Sequence, residues 1–306
     1  MSDIKLFQIG PPNVRELPGQ SVAVEKSLQT LIEANLEEFL GVRFLASEYT
    51  TGKTHGGRID TLGLDENGCP VIIEYKRASN QNVMNQGLYY LDWLLDHKAE
   101  FVLLVMKCLG QTVADKVEWS APRLVCIAGD FNKYDEHAVG QINRNIELMR
   151  YRRYGQDLLL LELVNAKTAN PVDGNGGSAP KATGPKVADK TVTELLAQSS
   201  QALSDRFANV KAILLALGDD VQLNTLKYYF AFKRIKNFAC VEVHPGSDHL
   251  LVYVKVDPDT IVLEAGFTRD VRKIGHFGTG DLEIRITSDA DLKKAEPLLL
   301  KSYEVS

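Results

Sequence analysis

The stretch Arg58–Lys76, RIDTLGLDENGCPVIIEYK, constrains this chain more than any other. It reads as two strands, Arg58–Leu64 and Pro70–Lys76, joined by a tight turn. Asp65, Glu66, Asn67 and Gly68 supply the turn chemistry, and Asn67-Gly68 is a strong hairpin signal. Side chains alternate between the two faces of a strand. Asp60, Leu62 and Leu64 therefore share one face, and Ile72, Glu74 and Lys76 share one face of the partner strand. Val71 and Ile73 point the other way, towards a core. Two acids and a lysine are brought to one spot where apolar side chains are expected.

Two carboxylates offer hard oxygen ligands suited to Mg²⁺, and the backbone carbonyl of Tyr75 adds a third oxygen. A cation held there stabilises charge on a phosphoryl group and activates water. Lys76 then orients or deprotonates the water, or neutralises charge in the transition state. Taken alone, the three charges also read as solvated groups on a surface hairpin, the commoner case. The pattern Asp60 followed by Glu74-x-Lys76 resembles the PD-(D/E)xK nuclease superfamily, with Ile59-Asp60 standing where the family usually has Pro-Asp. The resemblance implies a phosphodiester hydrolase with a restriction-endonuclease-like core, a mixed sheet flanked by helices. It implies Mg²⁺ as cofactor with Mn²⁺ able to substitute, and DNA as the partner.

Neighbouring segments carry the resemblance further. Val22–Leu40 reads as an amphipathic helix with Val24, Leu28, Leu31, Ile32, Leu36 and Phe39 at helical spacing. Glu25 falls within that stripe, while Glu33 and Glu37 fall on the opposite, wet face. A carboxylate on a buried stripe needs a partner or a metal; at a frayed first turn it needs neither. A glutamate on a helix before the hairpin matches the RecB-like and NucS-like branches, where it implies a further ligand or water-holder. After the hairpin, Ser79 or Asn80 caps a helix running to Asp96. Gln86, Tyr90 and Trp93 lie along one side of it. Gln86-Gly-Leu-Tyr-Tyr-Leu-Asp-Trp93 resembles the Q-x3-Y segment of RecB-like nucleases, which implies that Gln86 positions the lysine and the phosphate. An aromatic stripe packed on the sheet explains Trp93 and one of Tyr89 and Tyr90 equally well.

Before the hairpin, Thr50–Gly57 is glycine-rich and reads as a mobile loop that sets Lys53, His55 and Arg58 towards phosphates or simply covers surface. Beyond the Gln86 helix, Phe101–Met106, Leu124–Ala128 and Leu158–Val164 read as buried strands. Thr112–Trp119 and Tyr134–Met149 read as helices. Arg144, Arg150, Arg152 and Arg153, with Tyr151 and Tyr154, form the densest basic-aromatic cluster of this half. It suits a phosphate backbone or a solvated helix end. Arg123–Tyr154 also resembles bacterial relatives of NucS-like nucleases, so the resemblance spans about residues 20–165.

The 306 residues suggest two domains. Residues 169–190 have a linker composition, which divides the chain into 1–168, a linker, and a small α+β domain over 191–306. In the second domain Ser204–Leu217 reads as a helix. Phe238–Val243, Leu250–Val256, Ile261–Glu264 and Leu282–Ile286 read as strands, and Asp289–Tyr303 as a helix that Pro297 kinks or breaks. Leu226–Phe238, LKYYFAFKRIKNF, interleaves cations with aromatic rings. That suits base stacking with phosphate contacts from Lys233, Arg234 and Lys236, or an amphipathic helix with a basic rim. Gly275–Gly280 reads as a flexible loop. This half resembles an uncharacterised domain that accompanies such nuclease domains in bacteria.

A net charge of −5 excludes binding driven by overall charge, and residues 1–168 alone carry 18 basic and 22 acidic residues. Nucleic-acid affinity must then come from local patches. The four cysteines are scattered and frame no zinc site or disulfide. No apolar run reaches membrane-spanning length and the first residues carry no signal-peptide pattern. The expectation is a cytoplasmic Mg²⁺-dependent DNA endonuclease with a homodimer among its assembly states. A non-catalytic nucleic-acid or protein-binding module that keeps the fold is the alternative.

Overall fold

A computed structural model describes residues 4–10, 13–21, 25–77, 82–169 and 190–306. The chain divides into two compact units, Met1–Lys167 and Thr168–Ser306.

The first unit opens with a hairpin of β1 (Leu6–Gly10) and β2 (Asn13–Leu17) and the short β3 (Gly19–Gln20). Helices α1 (Glu25–Ala34) and α2 (Leu36–Leu40) lead into β4 (Val42–Thr50). A single helical turn, α3 (Gly52–His55), precedes the central hairpin of β5 (Arg58–Asp65) and β6 (Pro70–Lys76). Then come α4 (Asn82–Asp96), α5 (Lys98–Leu109), the short α6 (Gln111–Ala114), β7 (Arg123–Ala128), α7 (Lys133–Gln141), β8 (Asn145–Tyr154) and β9 (Leu158–Lys167). The sheet order is β3-β8-β7-β6-β5-β4, with β9 also paired to β8. β6, β7 and β8 run parallel, whereas β5 is antiparallel to both of its neighbours, β4 and β6. This is the mixed, helix-flanked sheet that the sequence implies.

The hairpin forms as its alternation dictates. Leu62 pairs with Ile72, and Asp65 Oδ1 accepts from the Asn67 and Cys69 N–H groups while Gly68 takes φ 76. Leu62, Leu64 and Ile72 pack with Leu91, Leu94, Leu124 and Cys126 under α4. Thr61 and Tyr75 point the opposite way, where α1 lies: Thr61 Oγ1 donates to Glu33 at 2.6 Å.

Several expectations are corrected. The helix Val22–Leu40 begins at Glu25 among the described residues and breaks at Asn35. Ser79 and Asn80 lie outside them, as do residues 170–189 of the linker. Phe101–Met106 is helical, inside α5: Phe101 and Val105 are buried one turn apart while Leu103 is exposed. Apolar periodicity over so short a run does not separate strand from buried helix. The helix expected over Thr112–Trp119 is only α6, and the one expected over Tyr134–Met149 ends at Gln141, where β8 takes over beside β7.

In the second unit α8 (Val192–Ala197), α9 (Gln201–Ala216) and α10 (Asp289–Glu304) pack on a six-stranded antiparallel sheet. Its strands are β10 (Gln222–Thr225), β11 (Phe230–Lys233), β12 (Asn237–His244), β13 (His249–Val254), β14 (Thr268–Asp270) and β15 (Leu282–Ile286), in the order β10-β11-β12-β13-β15-β14. Leu226–Phe238 is therefore strand and turn, not helix. Ile261–Glu264 forms no strand, with Val262 fully out in solvent. The helix α10 runs unbroken through Pro297. The Gly275–Gly280 loop is docked: the Phe277 N–H donates to Glu242, and a side chain at Gly278 would collide with Cys240.

Candidate active site

β5 and β6 part at one end of their ladder. The pairing stops at Thr61 and Ile73, and beyond it two carboxylates take over the backbone's hydrogen bonds. Asp60 Oδ2 accepts from the Tyr75 N–H at 3.0 Å, and Glu74 Oε1 accepts from the Asp60 N–H at 3.2 Å. Glu74 is fully buried, and its second oxygen, Oε2, has no hydrogen-bond partner. Burial, reinforced by the negative charge of Asp60, pushes the Glu74 carboxyl up to about 9. Burial also raises Asp60 from its ordinary value, against the Tyr75 N–H and Lys76, which lower it. A buried acid left with an unpartnered oxygen is costly unless a proton or a cation sits on it.

Lys76 extends β6 at the edge of this pair. Its Nζ lies 3.4 Å from Glu25 Oε1, and Glu25 Oε2 accepts from the Arg77 N–H at 3.2 Å. Glu25 thus reaches the site around the end of β6 and stands against Lys76. It does not converge with Asp60 and Glu74 as a stripe over the hairpin would demand, because α1 packs on the opposite face of the sheet. Among the described residues, no three Asp, Glu, His or Cys side chains form a metal-ligating group. The oxygen set near the pair is two carboxylates and backbone.

A cleft of about 470 Å³ opens beside the pair, lined by Gly56, Gly57, Arg58, Asp60, Gln86 and Tyr90. Gln86 Nε2 lies 3.4 Å from the Tyr90 hydroxyl, which accepts from the Arg58 N–H at 3.0 Å. The Tyr90 ring is buried, as Trp93 is, whereas Tyr89 is half exposed. The close approach of Gly57 to Tyr90 leaves no room for a side chain there: a Cβ would lie 2.4 Å from the ring. Lys53 is exposed on α3 at the rim of the neighbouring pocket that Thr51, His55, Trp93 and His97 help to line.

The supporting residues were the ones hidden in the sequence. Gln29, buried on α1, donates from Nε2 to the Asp60 carbonyl at 2.8 Å and to Glu33 Oε1 at 2.9 Å. Glu33 also receives Thr61, whose hydroxyl lies 3.3 Å from that of Tyr75. Glu33 is thus inside a polar network and not on a wet face. The available signal was Gln29, a polar residue between Leu28 and Ile32 on the buried stripe. Glu48, in β4, has φ 53, a left-handed conformation costing a non-glycine roughly 1–2 kcal/mol.

The basic clusters are dispersed. Arg150 is buried and paired with Glu162 at 2.6 Å and Asp130 at 3.3 Å. Tyr151 is buried, Arg153 bonds the Gln156 carbonyl, and Arg144 lies exposed before the far end of β8. Arg152 points with Arg150 and is partly exposed. A strand separates these groups where a helix end would have gathered them. In the second unit Lys233 is buried, and Arg234 is bound to Asp220 at 2.7 Å and lies over the Tyr303 ring. That leaves Lys236 as the member of this trio free of such ties among the contacts seen.

Residues 192–306 match the family described as a domain of unknown function, DUF5655. An uncharacterised protein of Haemophilus influenzae is 28% identical over 308 residues, covering 98% of this chain and 100% of that protein. Among solved structures, a repair endonuclease from Pyrococcus abyssi matches with a TM-score of 0.29 and 18% identity, over 45% of this chain and 50% of that one. A complex of EndoMS with double-stranded DNA matches with a TM-score of 0.27 and 18% identity, over 43% and 47%. The chain spans about half the length of these two solved chains.

Proposed function

We propose that the first unit is a Mg²⁺-dependent nuclease that hydrolyses phosphodiester bonds in DNA. One observation carries the reading: the half-buried Asp60, which lines an open cleft, is paired with the fully buried Glu74, whose Oε2 is unpartnered, and Lys76 follows two residues on in the same strand. Two adjacent carboxylates in low dielectric repel when both are ionised, so the donor set fits a hard divalent cation. Asp60, Glu74 and the Tyr75 carbonyl would hold it, and it would supply Lewis-acid stabilisation of phosphoryl charge and an activated water. Glu25 acts through Lys76: its carboxylate fixes the ammonium group two residues beyond Glu74. Lys76 donates to the attacking water or to the oxygens on which charge develops. Gln86 and Tyr90 line the cleft that receives the backbone, and Tyr90 holds the Arg58 amide. DNA as substrate rests on the sequence resemblance.

The test is a cleavage screen with Mg²⁺ or Mn²⁺ over single-stranded, duplex, branched and mismatched DNA. At least one substrate is expected to be cut, with activity lost in chelator and in Asp60→Asn. If nothing is cut with either metal while DNA still binds, the unit is a binding module that keeps the fold.

A further inference from the structure

The strained residue of β4 has no part in the chemistry above. Ser47 pairs with Thr61 and Tyr49 with Ile59, which places Glu48 across the ladder from Asp60. Its two oxygens are divided between two cations. Oε1 lies 2.9 Å from Lys26 Nζ, and Oε2 lies 2.7 Å from Arg58 Nε. The acid is the inner member: its side chain is 31% exposed, against 55% for Lys26 and 64% for Arg58. Ion pairs this exposed contribute little to stability, and a strained backbone persists where function requires it. Stability is therefore a poor reason for a glutamate at this position. Arg58 also lines the cleft with Asp60, Gln86 and Tyr90.

A phosphodiester offers what Glu48 offers, two oxygens sharing one negative charge, and arginine with lysine is the usual pair of donors to it. We propose that Lys26 and Arg58 form a binding site for a backbone phosphate beside the Asp60–Glu74 pair, and that Glu48 occupies this site until DNA displaces it. The inference rests on the nuclease reading in one respect, that the anion received is the DNA backbone. Exchange of one anion for another leaves both cations paired. Glu48 thereby lowers affinity for DNA and disfavours non-specific binding by a protein whose overall charge is already negative.

The experiment is fluorescence anisotropy with a short fluorescein-labelled DNA duplex and its single strand, in chelator so that nothing is cut. Glu48→Gln removes the competing charge, and Glu48→Gly also relaxes the left-handed backbone, so at least one variant keeps the fold, checked by circular dichroism. Both are expected to bind more tightly than wild type, by about fivefold or more at low salt, where surface charge is least screened. Lys26→Ala is expected to bind more weakly, with a salt dependence shallower by about one phosphate contact. Folded Glu48 variants that bind no more tightly than wild type, or Lys26→Ala with an unchanged salt slope, overturn the inference. Cleavage in Mg²⁺ is read separately. If wild type cuts while the Glu48 variants bind as wild type, this site alone falls. If nothing is cut while they bind more tightly, the phosphate site stands and the nuclease reading falls.

Discussion

Glu74→Gln is expected to abolish cleavage, by about a thousandfold or more, and to raise the melting temperature of the first unit without metal at neutral pH. The two effects have one cause. In the fold, burial and Asp60 push Glu74 up to about 9, from 4.5. Between those values the folded state holds a proton that the unfolded state releases. The stabilisation is complete below about pH 4.5 and is lost as pH rises through about 9. Across that window the site costs the metal-free protein on the order of a few kcal/mol. Glutamine keeps an oxygen for the Asp60 N–H and places an amide donor where the carboxylic proton would sit. Thermal unfolding in chelator from pH 5 to pH 9 checks this: wild type should lose stability with rising pH, and Glu74→Gln should flatten that slope. A variant that retains cleavage, or unfolds with the wild-type slope, contradicts it.

Arg123→Met is expected to be the most damaging change to the fold of the first unit. Arg123 is buried between two buried acids, with Nη1 at 2.9 and 2.8 Å from the Glu147 oxygens and Nε at 3.3 Å from Asp65 Oδ2. Its loss leaves two carboxylates buried without their cation, at a cost of about 3–5 kcal/mol. Asp65 also closes the β5–β6 turn, so the damage falls on the closed end of the hairpin whose other end holds Asp60 and Glu74. Denaturant unfolding of Arg123→Met and of the triple variant Arg123→Met, Asp65→Asn, Glu147→Gln gives the check. The triple variant should recover most of the loss. If the single change costs under about 1 kcal/mol, the buried triad does not hold that end together.

The hairpin was legible because its cues are local: alternation on each strand and Asn67-Gly68 between them. The meeting of Asp60, Glu74 and Lys76 follows from that alternation and from the register Leu62 with Ile72. What surrounds it was not legible, since it depends on which face each helix covers. Glu25 was expected to join Asp60 and Glu74 as a further ligand or water-holder; instead it stands against Lys76 at the end of β6, while α1 buries Gln29 and sets Glu33 against Thr61 on the other face. Arg123 lay just ahead of the expected strand Leu124–Ala128 with no sign of a partner, and its two acids, Asp65 and Glu147, come from distant segments. Arg150 looked like part of a basic surface and is instead neutralised by Glu162 and Asp130. The run Phe101–Met106 satisfied strand and helix alike, and only packing against the sheet decided it.

Calorimetric titration with Mn²⁺ at pH 7 tests whether Asp60 and Glu74 hold a cation. Glu74 holds a proton at that pH in the metal-free fold, and a cation on its carboxylate must displace it. Run in buffers of different ionisation enthalpy, the titration should show binding coupled to release of about one proton, and Glu74→Gln should lose both the binding and the release. Absence of binding, or binding without proton release that persists in Glu74→Gln, would mean that Asp60 and Glu74 hold no cation.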